Sequence, residues 1–483
     1  MPPSIDDWLP EDHPARFISE VVDEMLDLDE IYGSYAGEGA PPYDPAMMLK
    51  LLLWGYSSGV TSSREMERRC VTDVAFRFLT ANQFPDYRSI SRFRRRHMVA
   101  LRGLFTQVLV LCQGAGLVRL GRVGLDGTKV RASASRRKAM SYGYLVPRIE
   151  QLQAEVDGLL AEGERVDAAE DEQFGVDRRG DELPAELARR VSRLVKMRAA
   201  KQAMEEDARA RAAADRVAAE KKAAGRKAAG KQTRAAAGKP VKVGAGGPGD
   251  DSPDSPVDPV TVDSEGTSPV DVNAGGDVVV AAKEQRSFTD PESRIMKMSD
   301  GGFQYAYNVQ AIADEGGQVI LAVNVIQAAN DVNQLFDTVA VMGEQLDAAG
   351  IAGRPKVILA DAGYCSDENL QHLGEVDSAV LIATGRVRHG EQVPAAPRGR
   401  IPKNATLRER MARRLRTKPG HADYARRKAI IEPVFGQMKT RQHAGQLRLR
   451  GLDGATGEVL LHALVHNLRK LCNVSFNPGL LIG

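Results

Sequence analysis

The sequence has little cysteine: four residues in 483. Cys70, Cys112, Cys365 and Cys472 are too far apart for a metal-ligand spacing or a disulfide framework, and are expected to be structural thiols. It has no run of ~20 apolar residues to cross a membrane. The opening "MPPSIDDWLPEDHPARF" lacks the basic-then-apolar order of a secretory signal, so the cytoplasm is the expected location. A large net charge is also missing. The balance of +2 is uninformative, but its distribution is not, because positive charge is concentrated in segments. With 43% apolar residues the chain has an ordinary globular composition. Its length exceeds the roughly 250–300 residues at which one core stops growing, so at least two domains are expected.

Residues 44–100 read as a helical module within an N-terminal helical region spanning 1–115. "DPAMMLKLLLWGYSSG" offers Asp44 as N-cap, Pro45 at the first helical position and Gly59 as a stop. "TSSREMERRC" and "TDVAFRFL" restart behind Thr61 or Ser62 and Thr72 or Asp73. "DYRSISRFRRRHMVALRGLF" opens at Ser89 and carries Arg92, Arg94, Arg95 and Arg96 within two turns. Short helices ending in a strongly basic one suit DNA binding, and equally suit the solvated face of an ordinary bundle.

The middle of the chain changes character. Ile149, Leu152, Val156 and Leu159 make one amphipathic stripe, and Leu187, Val191, Leu194 and Val195 make another behind Pro184, which predicts a helical hairpin over 141–240. From about residue 199 that stripe dissolves into Ala, Lys and Arg. Residues 186–242 hold 17 basic and 6 acidic residues, about +11 net. The stretch 241–285, rich in Pro, Ser, Gly and Asp, has too few large apolar residues to offset chain entropy and is expected to be disordered. The whole is an insertion between the two parts of another domain, 116–140 and 286–475.

Those parts alternate differently. "VGLDGTKVRASAS" is strand-like, and "FQYAYNVQAIAD" and "QVILAVNVIQ" form a hairpin around "EGG". "DVNQLFDTVAVMGEQLDAAG" reads as a helix, "KVILADAGY" and "SAVLIATG" as buried parallel strands, and "RKAIIEPVFGQMKTRQ" as a last helix that kinks or begins at Pro433. The expected fold is a mixed, five-stranded α/β sheet covered by helices. Asp126 lies in the first strand and Asp361 at the carboxyl end of a later one, where open α/β sheets present ligands. Glu432 lies on the last helix. Buried carboxylates are costly unless paired, and two side by side repel unless a cation separates them. Hard oxygen ligands of this kind suit Mg2+. Each acid also has a plain alternative: a turn at "LDG", an Asp-stabilised loop at "DAGY", a surface position for Glu432.

The chain resembles the DDE transposases of bacterial insertion sequences, which have a ribonuclease H-like catalytic domain. The likeness is carried by "GLDGTKVRASASRRKAMSYG", "DPESRIMKMSDGGFQYAYNVQAIAD", "VILADAGYCSDENL", "YARRKAIIEPVFGQMK" and "LHALVHNLRKL", and by residues 43–100 for the N-terminal helical domain. It is closest to the branch with a long insertion after the first Asp. It implies Asp126, Asp361 and Glu432 as catalytic metal ligands, with two Mg2+ ions per site and Mn2+ as a substitute. It further implies DNA cleavage at the element's inverted repeats and strand transfer into target DNA, by a homodimer on DNA near the nucleoid, without a nucleotide cofactor or a membrane. Tyr424, Arg427 or Lys428, and Lys439 would contact the DNA backbone, and Arg92 to Arg96 would recognise the ends. One spacing departs from the family's Tyr-Arg-Glu-Lys signature. Four residues, not three, separate Arg427 from Glu432, and Lys428 has the three-residue gap instead. The rival readings are a DNA-binding regulator that no longer cuts and a nuclease that cuts without joining.

Overall fold

The computed structural model describes residues 4–35, 43–135, 139–174, 185–236, 271–272, 278–385 and 398–476. It divides into two compact units, Met1–Lys138 with Thr289–Gly483, and Ala139–Phe288.

The first unit begins with helices. Helix α1 (Pro45–Ser57) starts where Asp44 accepts the Met47 N–H at 2.9 Å, with Pro45 in the first turn, where its missing donor costs nothing. Helix α2 (Tyr87–Arg96) is capped three residues earlier than the sequence suggests, by Asp86 and not Ser89. Helix α3 (Met98–Gly114) buries Leu101, Leu104, Phe105, Val108 and Cys112.

Strand β1 (Arg122–Arg131) follows. In the second unit, helices α4 (Tyr142–Phe174) and α5 (Ala185–Ala236) share an apolar cluster of Leu145, Ile149, Leu152, Leu194, Met197, Ala200, Met204 and Ala208. The apolar stripe of α5 therefore does not end near residue 199. It continues as Ala200, Met204, Ala208 and Ala212 at one-turn spacing, three small residues and a methionine. Val195, expected in that stripe, is 60% exposed. Most of 241–285, expected to be disordered, lies outside the described residues.

The chain returns to the first unit through β2 (Arg294–Lys297), β3 (Phe303–Asp314), β4 (Ile320–Ile326), helix α6 (Leu335–Ala348), β5 (Val357–Ala360) and β6 (Ala379–Ile382). The sheet order is β6-β5-β1-β3-β2, with β4 also paired to β3. Strand β1 runs antiparallel to β3 and parallel to β5, and β5 parallel to β6. This is the mixed sheet expected from sequence, with the short β2 as a sixth strand. Helices α7 (Lys418–Ala425), α8 (Arg427–Arg441) and α9 (Gly451–Phe476) complete the unit. Helix α9 packs on α3 and β4 and carries the buried residues Val459, Leu461, Leu464, Val465 and Leu468. Among the described residues, no helix is long and apolar enough to cross a membrane.

Candidate active site

The register of β1 and β5 brings the two aspartates together. Leu125 pairs with Ala360, and the next residue on each parallel strand is Asp126 and Asp361. Each spends one oxygen on a nearby backbone N–H, Asp126 within its strand and Asp361 at the turn that follows it. Asp126 Oδ1 accepts the Gly127 N–H at 2.8 Å, and Asp361 Oδ1 accepts the Gly363 N–H at 2.7 Å. The loop reading fits Asp361, which caps the turn Ala362–Tyr364, whereas Asp126 lies inside the continuous strand β1 and no turn forms at "LDG". Burial pushes the Asp126 carboxyl up to about 6, the Arg427 guanidinium pulls it back, and neighbouring Asp361 raises it again.

Helix α8 brings the third acid. It sits close over β1 at Gly124, where a Cβ would lie 3.0 Å from Ile431, so a larger residue would push the helix off the strand. The helix neither begins nor breaks at Pro433. It starts at Arg427, after an interruption at Arg426, and runs through the proline. Proline has no N–H for the carbonyl four residues back, that of Ala429. The Gln318 side chain, in the β3–β4 turn, takes that carbonyl at 2.9 Å and ties the helix to the hairpin.

Arg427 is buried and donates to Asp126 Oδ2 at 3.1 Å, while its other terminal nitrogen lies 3.6 Å from Glu432 Oε1. The guanidinium therefore links the first strand's acid to the helix's acid. Lys428 faces outward and is exposed, so Arg427 is the cation that reaches the acids despite the longer gap. Burial raises the Tyr424 hydroxyl's pKa, with Arg427 lowering it and Asp361 and Asp126 raising it, which places the ring beside the same group. Lys439, half-buried, donates to Thr128 of β1, and burial lowers its pKa. Glu432 keeps half its side chain exposed.

A fourth acid, which the sequence reading assigned to the start of a helix, also faces this site. Asp331 precedes α6, in the loop after β4. Its Oδ1 accepts from Asn308 Nδ2 at 2.8 Å and Gln310 Nε2 at 2.6 Å, both amides buried on β3. It would lie 2.6 Å from a Cβ at Gly127 and 3.5 Å from one at Gly363, beside the residues that follow Asp126 and Asp361. Gln310 in turn accepts the hydroxyl of Tyr364, the residue that closes the Asp361 turn. The signal was present in sequence: Asn308 and Gln310, two residues apart in an apolar strand, place two buried amides on one face and require a partner.

The basic helix of the N-terminal region divides. Arg94 is 5% exposed, and its Nη1 donates to the Tyr56 hydroxyl at 2.8 Å and the Thr61 carbonyl at 3.1 Å. It is a core residue, held too deep to reach a DNA backbone, which corrects its expected role. Arg92, Arg95 and Arg96 are exposed, the last stacked on Tyr35 with 4.4 Å between guanidinium and ring centre.

The donor set of Asp126 and Asp361 is hard and anionic, suited to a divalent cation. Among the described residues, no three His, Cys, Asp or Glu side chains stand close enough to enclose one ion. The pair is assembled, and Glu432 is separated from it by the Arg427 guanidinium.

Two family models match. One described as "Transposase domain (DUF772)" covers residues 3–96, and one described as "Transposase DDE domain" covers residues 261–468. The second spans Asp331, Asp361 and Glu432, while Asp126 lies outside it and enters the site through the β1–β5 register. No curated protein and no solved structure matches. Together the two models cover more than half of the chain, which belongs to the DDE-type transposases of insertion sequences.

Proposed function

We propose that this transposase cleaves DNA at the ends of its element and joins the freed strand to target DNA by in-line phosphoryl transfer, with Asp126, Asp361 and Glu432 holding the metal. The single observation that carries this is the placement of Asp126 and Asp361 at matched positions on adjacent parallel strands, each with one oxygen not taken by its local backbone N–H. A pair of Mg2+ ions bound there would supply Lewis-acid activation of a water or a DNA 3′-hydroxyl and stabilisation of the leaving oxygen. The chain's own residues do the rest. Asp126 and Asp361 present oxygens from a rigid sheet, and Glu432 reaches in from α8 with an exposed side chain free to turn. Arg427 balances the acids and, on release from them, is placed to meet a phosphate bidentately. Tyr424 and Lys439 flank it as backbone contacts, and Lys428, exposed on the same helix, is a further one.

Asp331 acts here as a positioning residue. Through Gln310 and Tyr364 it fixes the turn that carries Asp361, as hydrogen-bonded outer carboxylates do around metal sites. The test is incubation of the purified chain with a DNA fragment bearing the sequences that border its coding region. Mg2+-dependent nicking at both borders and joining into a target plasmid is the expected result. Nicking without joining would leave a nuclease, and binding without nicking a regulator.

A further inference from the structure

Beyond the catalytic site, we infer a second DNA-contact surface, in a cleft of about 790 Å3 between α2–α3 and the segment that leads into α9. Its occupant is the phosphate backbone of duplex DNA, so the inference rests on the reading that this chain acts on DNA. One wall carries Arg95 and Arg102, the other Arg448 and Arg450, all four exposed. Asp453 is the one carboxylate lining it. Among the described residues none of the four arginines is in an ion pair, whereas Arg68 and Arg69 on the neighbouring helix both pair with Glu65. Arg448 Nε donates to Thr61 Oγ1 and Arg95 Nε to the Ser91 carbonyl, each at 3.3 Å, but both acceptors are neutral, so the charges of the cleft are left to a ligand.

The walls are held together by a buried charge network. Glu458 is fully buried in α9 and accepts the Tyr56 hydroxyl at 3.0 Å through Oε1. Its Oε2 accepts the Arg448 and Leu449 N–H groups at 2.7 and 2.8 Å. Tyr56 in turn accepts from Arg94 of α2. One carboxylate therefore fixes the backbone beneath Arg448 and Arg450, and through Tyr56 and Arg94 it fixes the opposite helix. Arg94 Nε, at the floor, is buried with no hydrogen-bond partner, although the Arg94 charge itself faces Glu458 through Tyr56. Four outward guanidinium groups on two prearranged walls match a polyanion that runs along the cleft. Contacts of this kind position DNA without reading its sequence.

The experiment measures binding of the full chain to a fluorescent 30-base-pair duplex of unrelated sequence, from 50 to 300 mM salt. Arg95→Gln, Arg102→Gln and Arg450→Gln are combined in one variant. The control combines Arg68→Gln, Lys297→Gln and Arg354→Gln, which remove the same charge outside the cleft. Each phosphate contact contributes about 0.9 to the slope of log affinity against log salt, so the cleft variant loses about 2 to 3 from that slope. Its dissociation constant rises at least about tenfold at low salt, for unrelated and element-end duplexes alike. A cleft variant indistinguishable from the control overturns the inference and leaves the transposase reading intact. A wild-type chain without salt-dependent DNA binding overturns both. If the triple variant melts early, Arg102→Gln and Arg450→Gln singly, each losing about 0.9 of slope, give the same decision.

Discussion

Asp314 and Asp126 sit on the same sheet, on paired strands, and their oxygens are used in opposite ways. Asp314 is fully buried and accepts three backbone N–H groups, from Arg119, Leu120 and Gly316, at 3.2, 2.9 and 2.7 Å. Asp126 accepts one, from Gly127, and gives its other oxygen to the Arg427 side chain. Burial raises the pKa of both carboxyls. The difference is commitment. An acid saturated by backbone donors ties a loop to a strand, while an acid opposed by one side-chain guanidinium can exchange that partner for a ligand.

The largest expected effect breaks the pair on the catalytic side alone. Asp361→Asn should lower end cleavage on the order of 10³-fold or more, the scale of losing a group that stabilises developing charge. DNA affinity and the melting temperature should change little; a parallel loss of folding would move Asp361 into the class of Asp314. Asp314→Ala should do the reverse. It leaves three N–H groups without their acceptor, at a cost of about 2–3 kcal/mol, visible as a lower denaturation midpoint. Cleavage per folded molecule should stay within about twofold.

The pH dependence sharpens the comparison. The folded pKa of Asp126, about 6, lies above its ordinary 3.8, so the protonated form favours the fold. Ionisation therefore removes stability as pH rises from about 4 to about 6, and the full penalty is present above that. Asparagine escapes this penalty and still offers Arg427 an acceptor. Melting in EDTA should show a small gap between Asp126→Asn and wild type near pH 4.5. The gap should be widest above pH 7, equivalent to about 3 kcal/mol. A gap independent of pH would show that Asp126 titrates like an exposed acid. A smaller effect is expected at the positioning residue. Asp331→Asn should lower kcat about tenfold and raise the Mg2+ needed for half-maximal rate, with KM for DNA unchanged. A change in KM alone would place Asp331 among the DNA contacts instead.

Much of this was legible in the sequence. Apolar runs such as "KVILAD" and the hairpin around "EGG" announce strands because a buried strand has little freedom in composition. Asp126 and Asp361 stand out as acids within such runs. What was missed depended on tertiary partners. "RIMK" is too short to signal β2 without the β3 edge it pairs with. Asp331 read as the first residue of a helix that begins only at Leu335, because the two amides that hold it come from another strand. Pro433 read as a kink or a helix start because the Gln318 side chain that takes the orphaned carbonyl is 111 residues away. Arg94 read like its neighbours, since only the fold reveals that it points at Tyr56.

The most direct test of the metal assignment is Mn2+ binding followed by electron paramagnetic resonance, on the full chain in complex with an end-bearing duplex. Wild type should take up Mn2+ in competition with Mg2+. Asp361→Asn should lose that binding, and Glu432→Gln should weaken it. Undiminished binding by Asp361→Asn would show that the ion sits elsewhere, and that the paired aspartates, one within β1 and one just past the carboxyl end of β5, do not form the catalytic centre.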